Sequence, residues 1–171
     1  MRYQLPFESA DNPRWKLLDA ARERLMAARS QDAVIAIVRD TARNVTSADG
    51  VTFVLRENAH CHYVEEDAIA PLWKGQRFPM TSCISGWAML NRKTAVIPDI
   101  FADDRIPHDV YRKTFVKSLV MTPVGLDTPL AAIGAYWRDK RSFTNLEIST
   151  VKTYAALVGK ALSDLLEPQY H

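Results

Sequence analysis

Gly75-Gln76-Arg77-Phe78-Pro79, then Cys83-Ile84-Ser85-Gly86-Trp87-Ala88, then Thr94-Ala95-Val96-Ile97-Pro98-Asp99: this middle stretch decides the fold. Gln76 to Pro79 reads as a short extended piece. Ser82 offers an N-cap for a compact helix from Cys83 to about Leu90, built of small or apolar residues. Gly86 lets that helix approach another element closely, since it carries no Cβ. Thr94 to Ile97 is a strand, and Pro98 stops it.

Upstream, Asn12 is a candidate N-cap and Pro13 suits the first helical position. Leu18, Ala21, Leu25 and Ala28 then make one apolar stripe. Ser30 caps a second helix with Val34, Val38, Thr41 and Val45 on one face, ended by a turn at Asp49-Gly50. Val51 to Leu55, a turn at Glu57-Asn58-Ala59 and a return through Cys61-His62-Tyr63-Val64 read as a hairpin. Downstream, Asp99 to Lys117 is a long loop carrying Phe101, Tyr111 and Phe115, and loops of that size are often functional. Ser118 to Val124 and Leu130 to Trp137 are strands joined across Asp127-Thr128-Pro129. Thr144 and Glu147 form a capping box for the last helix. Two helices, a run of strands with short helices inserted, and one closing helix are not alternating βαβα. The order predicts an α+β fold, an antiparallel sheet with helices packed on it.

The chain has 171 residues, the length of one domain, with 47% hydrophobic and 25% charged residues. Twenty-two basic and 20 acidic residues are interspersed, which argues against nucleic acid as the main partner. No apolar run approaches a membrane span, and no secretory h-region opens the chain. Two cysteines outside any CxxC pair point away from structural zinc and toward a reducing cytoplasm.

Taken with Asp104-Arg105, Ser118 to Val124, Pro129 to Trp137 and Phe143-Thr144-Asn145-Leu146-Glu147, the middle motifs resemble a GAF domain over roughly residues 31–166. They are most similar to the sensory GAF modules of bacterial two-component histidine kinases. The resemblance implies a GAF/PAS-like six-stranded antiparallel sheet with N- and C-terminal helices on one face and loops plus short helices on the other. Residues 1–12 are then an N-terminal tail, 13–167 a single domain including its flanking helices, and 168–171 a C-terminal tail. The resemblance further implies a small-molecule pocket under the loops and a homodimer through the first and last helices. It implies an output domain, in cis or in a partner kinase. Asn-Lys…Phe…Asp-Glu, the signature of cyclic-nucleotide-binding relatives, is absent, so the ligand class stays open.

Nine residues are candidates for the ligand site: Trp73, Phe78, Cys83, Trp87, Phe101, Arg105, His108, Tyr111 and Phe115. Of these, Trp87, Phe101, Tyr111 and Phe115 are expected to converge on one cavity. Arg105, with Arg112 and Lys117, is a candidate for holding an anion. No catalytic residue and no metal site is assigned. Asp99, Asp103, Asp104, Arg105 and Asp109 read as turn-capping groups, and His60 and His62 as a solvated strand face. Cys61-His62 resembles the bilin-carrying pair of phytochrome-like GAF domains. It falls on a strand that sends the two side chains to opposite faces, so bilin is disfavoured, as is haem at His108.

The alternative to a sensor is a thiol reductase resembling GAF-type methionine sulfoxide reductases and using Cys83, for which Cys61 is the one available resolving thiol. Free cysteines are usually packed, so Cys83 is read as a buried, slow thiol. A third reading is a ligand-free dimerisation module. The last helix supports dimerisation through its seam of Ile148, Val151, Ala155, Val158, Leu162 and Leu165, beside a second stripe of Tyr154, Leu157 and Ala161.

Overall fold

A computed structural model describes residues 13–125 and 127–166. The Asn12 cap and both tails lie outside the described residues. Chain order is α1 (Pro13–Ala27), α2 (Gln31–Thr46), β1 (Gly50–Glu57), β2 (His60–Ala68), β3 (Arg77–Pro79), α3 (Ile84–Asn91), β4 (Ala95–Ile97), α4 (His108–Tyr111), β5 (Ser118–Val124), β6 (Ala131–Trp137) and α5 (Asn145–Leu166). Short 3₁₀ turns span Met80–Ser82 and Ile100–Ala102.

The strands form one six-stranded sheet in the order β3-β2-β1-β6-β5-β4, every neighbouring pair antiparallel. The fold is therefore the expected α+β arrangement. β1 and β6 are its centre. All seven residues of β6 are buried, an unbroken apolar run that suits a strand covered on both faces.

Each side of the sheet has its own core. On one, Leu18, Ala21 and Leu25 of α1, Val34, Val38 and Val45 of α2, and Val151, Ala155 and Val158 of α5 pack on Val51, Phe53, Ile133 and Ala135. The Thr41 and Tyr154 hydroxyls, 2.7 Å apart, tie α2 to α5. On the other side, α3 and the segment from Pro98 to Lys117 pack on Val54, Tyr63, Leu119, Met121 and Tyr136.

Helix ends follow the local chemistry. Ser30 caps α2 by accepting from the Ala33 N–H at 3.1 Å. Thr144 and Glu147 bond reciprocally, each at 3.1 Å, completing the capping box. One cap differs from expectation. The chain makes a 3₁₀ turn through Met80–Ser82, so Ser82 belongs to that turn and Cys83, in extended conformation, takes the N-cap of α3. Its side chain makes no capping bond.

The hairpin of β1 and β2 turns at Asn58, which adopts φ 56°. A bulge interrupts its register between Phe53 and Val54: Val54 pairs with Tyr63, but Phe53 pairs with Glu65. The extra residue, Val64, reverses the alternation along β2. Cys61 and Tyr63 point into the loop-side core, whereas Glu65 meets Lys74 and Arg39 of α2, at 2.8 and 3.7 Å.

Beyond the bulge, Glu66 accepts N–H bonds from Leu72, Trp73 and Lys74 at 2.8, 2.8 and 2.7 Å. This clasp holds the chain where it leaves β2 and seats Trp73 in the core. Glu66→Ala leaves three donors without that carboxylate and is expected to cost about 2–3 kcal/mol, since bonds to a charged acceptor are the stronger kind. Native-state hydrogen exchange should show faster exchange at the amides of Leu72, Trp73 and Lys74. Unchanged protection there would refute the clasp.

The α5 seam is spent inside the protomer. Val151, Ala155 and Val158 are buried against the sheet, and so are Tyr154 and Ala161 of the second stripe. The argument that one stripe is left over for a partner does not hold for these residues, because the three-helix layer and the sheet absorb both.

Candidate functional site

The loop-side core is built around aromatic rings. Trp73 stands 4.7 Å from Tyr111 and 5.5 Å from Tyr136, centroid to centroid. Tyr63 makes edge contacts with Trp73 at 5.7 Å and with Phe78 at 5.5 Å. Gly134 allows this packing: it faces the same side as Tyr136, two residues on, and a Cβ there would run into the Tyr136 ring and Met121. Tyr136 thus lies over Gly134 and reaches the Thr52 hydroxyl at 2.8 Å. Burial pushes the phenols of Tyr63, Tyr111 and Tyr136 upward, so each stays neutral and a hydrogen-bonding group only.

A rim surrounds this core. The Arg105 guanidinium lies 4.3 Å from the Trp87 ring and holds Asp103 through both carboxylate oxygens, at 3.0 and 2.7 Å. His108 Nε2 meets the Asp103 carbonyl oxygen at 2.9 Å and stacks edge-on with Phe101 at 5.6 Å. Lys117 Nζ sits 5.2 Å from the Phe101 ring. Asp99 accepts from the Phe101 N–H and Asp103 from the Arg105 N–H, as turn-capping carboxylates do.

The Arg105 guanidinium beside Asp103 holds that carboxyl below its ordinary range. A depressed folded value means the bond's contribution is present above the unfolded value, about pH 4, and is lost as pH falls through the lower folded one. Asp103→Asn should therefore lower stability at neutral pH and change it little at acid pH, flattening that part of the acid limb. Thermal melts between acid and neutral pH check this.

The nine sequence candidates do not share one cavity. Trp73, Cys83 and Tyr111 are inside the core, with Phe78 packed at its edge. Trp87, Phe101, Arg105 and His108 form the rim. Phe115 packs at the far end, against Gly50. The expected convergence of Trp87, Phe101, Tyr111 and Phe115 on one cavity is thus corrected, because Tyr111 turns inward to Trp73 and the other three stay half-buried. Arg105 is committed to Asp103 and Arg112 to Asp109, so of the proposed anion holders only Lys117 is left without a described carboxylate partner. Every buried side-chain nitrogen or oxygen among the described residues has a hydrogen-bond partner. A hollow of about 580 Å³ lies elsewhere, between Arg29, Leu55, Leu130, Leu162 and Leu165.

Several residues here escaped the sequence reading. Tyr63, Ser85, Thr52 and Tyr136 carry the polar bonds of the core, yet only the small-then-large pair Gly134 and Tyr136, at i and i+2 of one strand face, was a signal. The adjacency of the two thiols is the other unforeseen feature. Cys61 pairs across the strands with Phe78, and the 3₁₀ turn brings the chain back so that Cys61 and Cys83 meet in the same loop-side core, close enough for each thiol to shift the other. The Ser85 hydroxyl donates to Cys83 Sγ at 3.3 Å and bonds Tyr63 at 2.9 Å. The neighbouring Cys61 thiol draws the Cys83 thiol below its ordinary value, helped by the Ser85 hydroxyl, while Cys61 is pushed upward by the same proximity and by burial.

The GAF domain family model matches residues 16–163, and the chain belongs to that family. Comparison with curated protein sequences gives no match. Among solved structures, the GAF domain of an Acinetobacter phosphoenolpyruvate-protein phosphotransferase superposes with a TM-score of 0.75 at 11% identity, covering 90% of this chain and 94% of that one. Free methionine-R-sulfoxide reductase from Neisseria meningitidis, in complex with its substrate, gives 0.75 at 16% identity, covering 96% and 98%. Residues 122 to 287 of a methyl-accepting chemotaxis protein give 0.72 at 17% identity, covering 85% and 96%. At these identities the likeness is one of fold. No helix of the described residues is long and apolar enough to cross a membrane.

Proposed function

We propose that this GAF domain is the sensory module of a cytoplasmic bacterial signalling protein of the two-component histidine kinase type. It binds a small, largely apolar molecule at the loop-side rim and has no catalysis of its own. The observation that carries this reading is the two-sided core. The strands between the loops and the helices place neighbouring residues on opposite sides, Tyr136 against Trp73 and Trp137 among the helices. A molecule that parts the rim rings therefore moves side chains one peptide away from the helix layer. It acts by shifting the population of two packings, in proportion to its differential affinity for them. Signal leaves through α1 and α5, which join outward-facing residues such as Leu17 and Leu166 in a homodimer and lead to an output domain in cis or to a partner kinase.

The test is a thermal-shift screen with a library of small aromatic and heterocyclic molecules, repeated on Trp87→Ala/Phe101→Ala. At least one compound should raise the melting temperature of the parent and not of the variant. A library that shifts neither, or shifts that survive in the variant, would favour a filled domain that only assembles. Light scattering on the parent and on Leu17→Glu/Leu166→Glu tests the dimer: the parent should be dimeric and the variant a folded monomer.

A second reading is favoured by the adjacent thiols. In it the domain is a thiol-dependent reductase centred on Cys83, with Cys61 resolving. Turnover of free methionine sulfoxide with a dithiol reductant, lost in Cys83→Ser, would establish it; no turnover above the Cys83→Ser background would remove it.

A further inference from the structure

We propose that Cys61 and Cys83 are a reversible dithiol–disulfide pair, oxidised by a hydroperoxide, that gives this domain a redox input separate from the rim. The proposal needs neither the small-molecule site nor the reductase activity. Its basis is placement. Cys61 is wholly buried on β2, and Cys83, 8% exposed, stands at the N-cap of α3 beside the exposed residues Thr81 and Ser82. The two segments are fixed to each other on both flanks. Cys61 faces Phe78 in the β2–β3 pairing, and the Met80 N–H donates to the Ala59 carbonyl at 2.9 Å. Cys83 Sγ also meets the Pro79 carbonyl oxygen at 3.5 Å. The segments that carry the two thiols are thus joined by backbone pairing.

The neighbours assign the roles. Cys83 accepts from Ser85 and sits where α3 turns its free N–H groups toward a developing anion, so it is the attacking thiolate. Cys61, wholly buried where Cys83 is not, is the less accessible of the two to a peroxide, and it resolves. In the first step the Cys83 thiolate attacks the outer oxygen of the hydroperoxide. An S–O bond forms, the O–O bond breaks, and the alkoxide leaves as an alcohol (water, for hydrogen peroxide) after taking a proton. In the second step Cys61 gives up its proton and attacks the Cys83 sulfur. The S–S bond forms, the S–O bond breaks, and hydroxide leaves as water. Two thiols lose two electrons in all, and the peroxide gains them. A dithiol reductant returns the pair by exchange.

A bond between these residues ties the start of β2 to the start of α3. Both flank Tyr63 and Ser85, so oxidation fastens one wall of the aromatic core.

The experiment exposes the reduced protein to graded hydrogen peroxide, then denatures it, alkylates it with iodoacetamide and weighs it intact. The expected product accepts no alkyl group, has lost about 2 Da and regains both thiols with dithiothreitol. In Cys61→Ser the oxidation should stop at a sulfenic acid that dimedone captures on Cys83. In Cys83→Ser, Cys61 should remain alkylatable throughout. Two alkylatable thiols in the parent at peroxide levels that oxidise free glutathione would overturn the proposal. So would direct passage of Cys83 to sulfinic or sulfonic acid, or disulfides only between chains. The parent arm decides the matter even where a serine variant fails to fold.

Discussion

Ile133→Asp is expected to leave a chain without a cooperative melt. Ile133 is fully buried in β6, between Phe53 of β1 and Thr122 of β5, and its side chain enters the core under the helices. It packs in an apolar cluster with Val51, Val120, Val151 and Val158 among its members. A carboxylate there has neither water nor a counter-charge. Burying such a group among these side chains costs several kcal/mol. Domains of this kind are stable by only about 5–15 kcal/mol, so most or all of the margin goes. Ile133→Val is the control: it removes one methylene at about 1 kcal/mol and should still melt in one transition. Circular dichroism on both variants separates the cases. A sharp melt for Ile133→Asp near the parent temperature would mean that β6 is not where we place it.

Gly86→Ala should have the next largest effect. A Cβ on Gly86 would overlap the backbone carbonyl of Met80, which cannot rotate aside as a side chain can. The first turn of α3 must therefore lift off the 3₁₀ turn that precedes it, taking Cys83 and Ile84 along. Overpacking of this kind costs about 1–3 kcal/mol, and a backbone obstacle puts it at the upper end. Gly75→Ala is the useful comparison. Gly75 has φ 87° but open space around it, so its loss is one of backbone conformation alone, about 1 kcal/mol. Urea denaturation should rank Gly86→Ala well below Gly75→Ala. Equal midpoints would show that α3 does not ride against Met80.

The contrast between these glycines bears on what the amino-acid sequence discloses. Gly86 was legible as a close-approach residue because a small, apolar helix surrounds it, although not which element it approaches. The hairpin, the Ser30 cap and the Thr144–Glu147 box were legible because each depends on residues within a few positions of one another. Features that need long-range pairing were not. The bulge at Val64 leaves no mark in composition, yet it decides that Tyr63 and Glu65 face opposite ways. Without it, the Glu65 bonds to Arg39 and Lys74 do not follow. The α5 stripes show the same limit from the other side. Periodicity reveals that the helix has two apolar faces, but not that the sheet, α1 and α2 together cover both. The candidate site was legible as a population of aromatic residues, and illegible as a geometry, since Trp73 and Tyr111 turn inward while Trp87 and Phe101 stay at the rim.

The distribution of indoles across the sheet has a practical consequence. Trp73 and Trp87 lie on the loop side, and Trp15 and Trp137 on the helix side. Replacing Trp15 and Trp137 by phenylalanine leaves a protein whose emission comes from the loop side alone; replacing Trp73 and Trp87 leaves the helix side alone. The same stopped-flow mixing experiment, run on the two versions, clocks an event at its point of arrival and again after it has crossed the sheet. The delay between the two traces is the transit time of the domain.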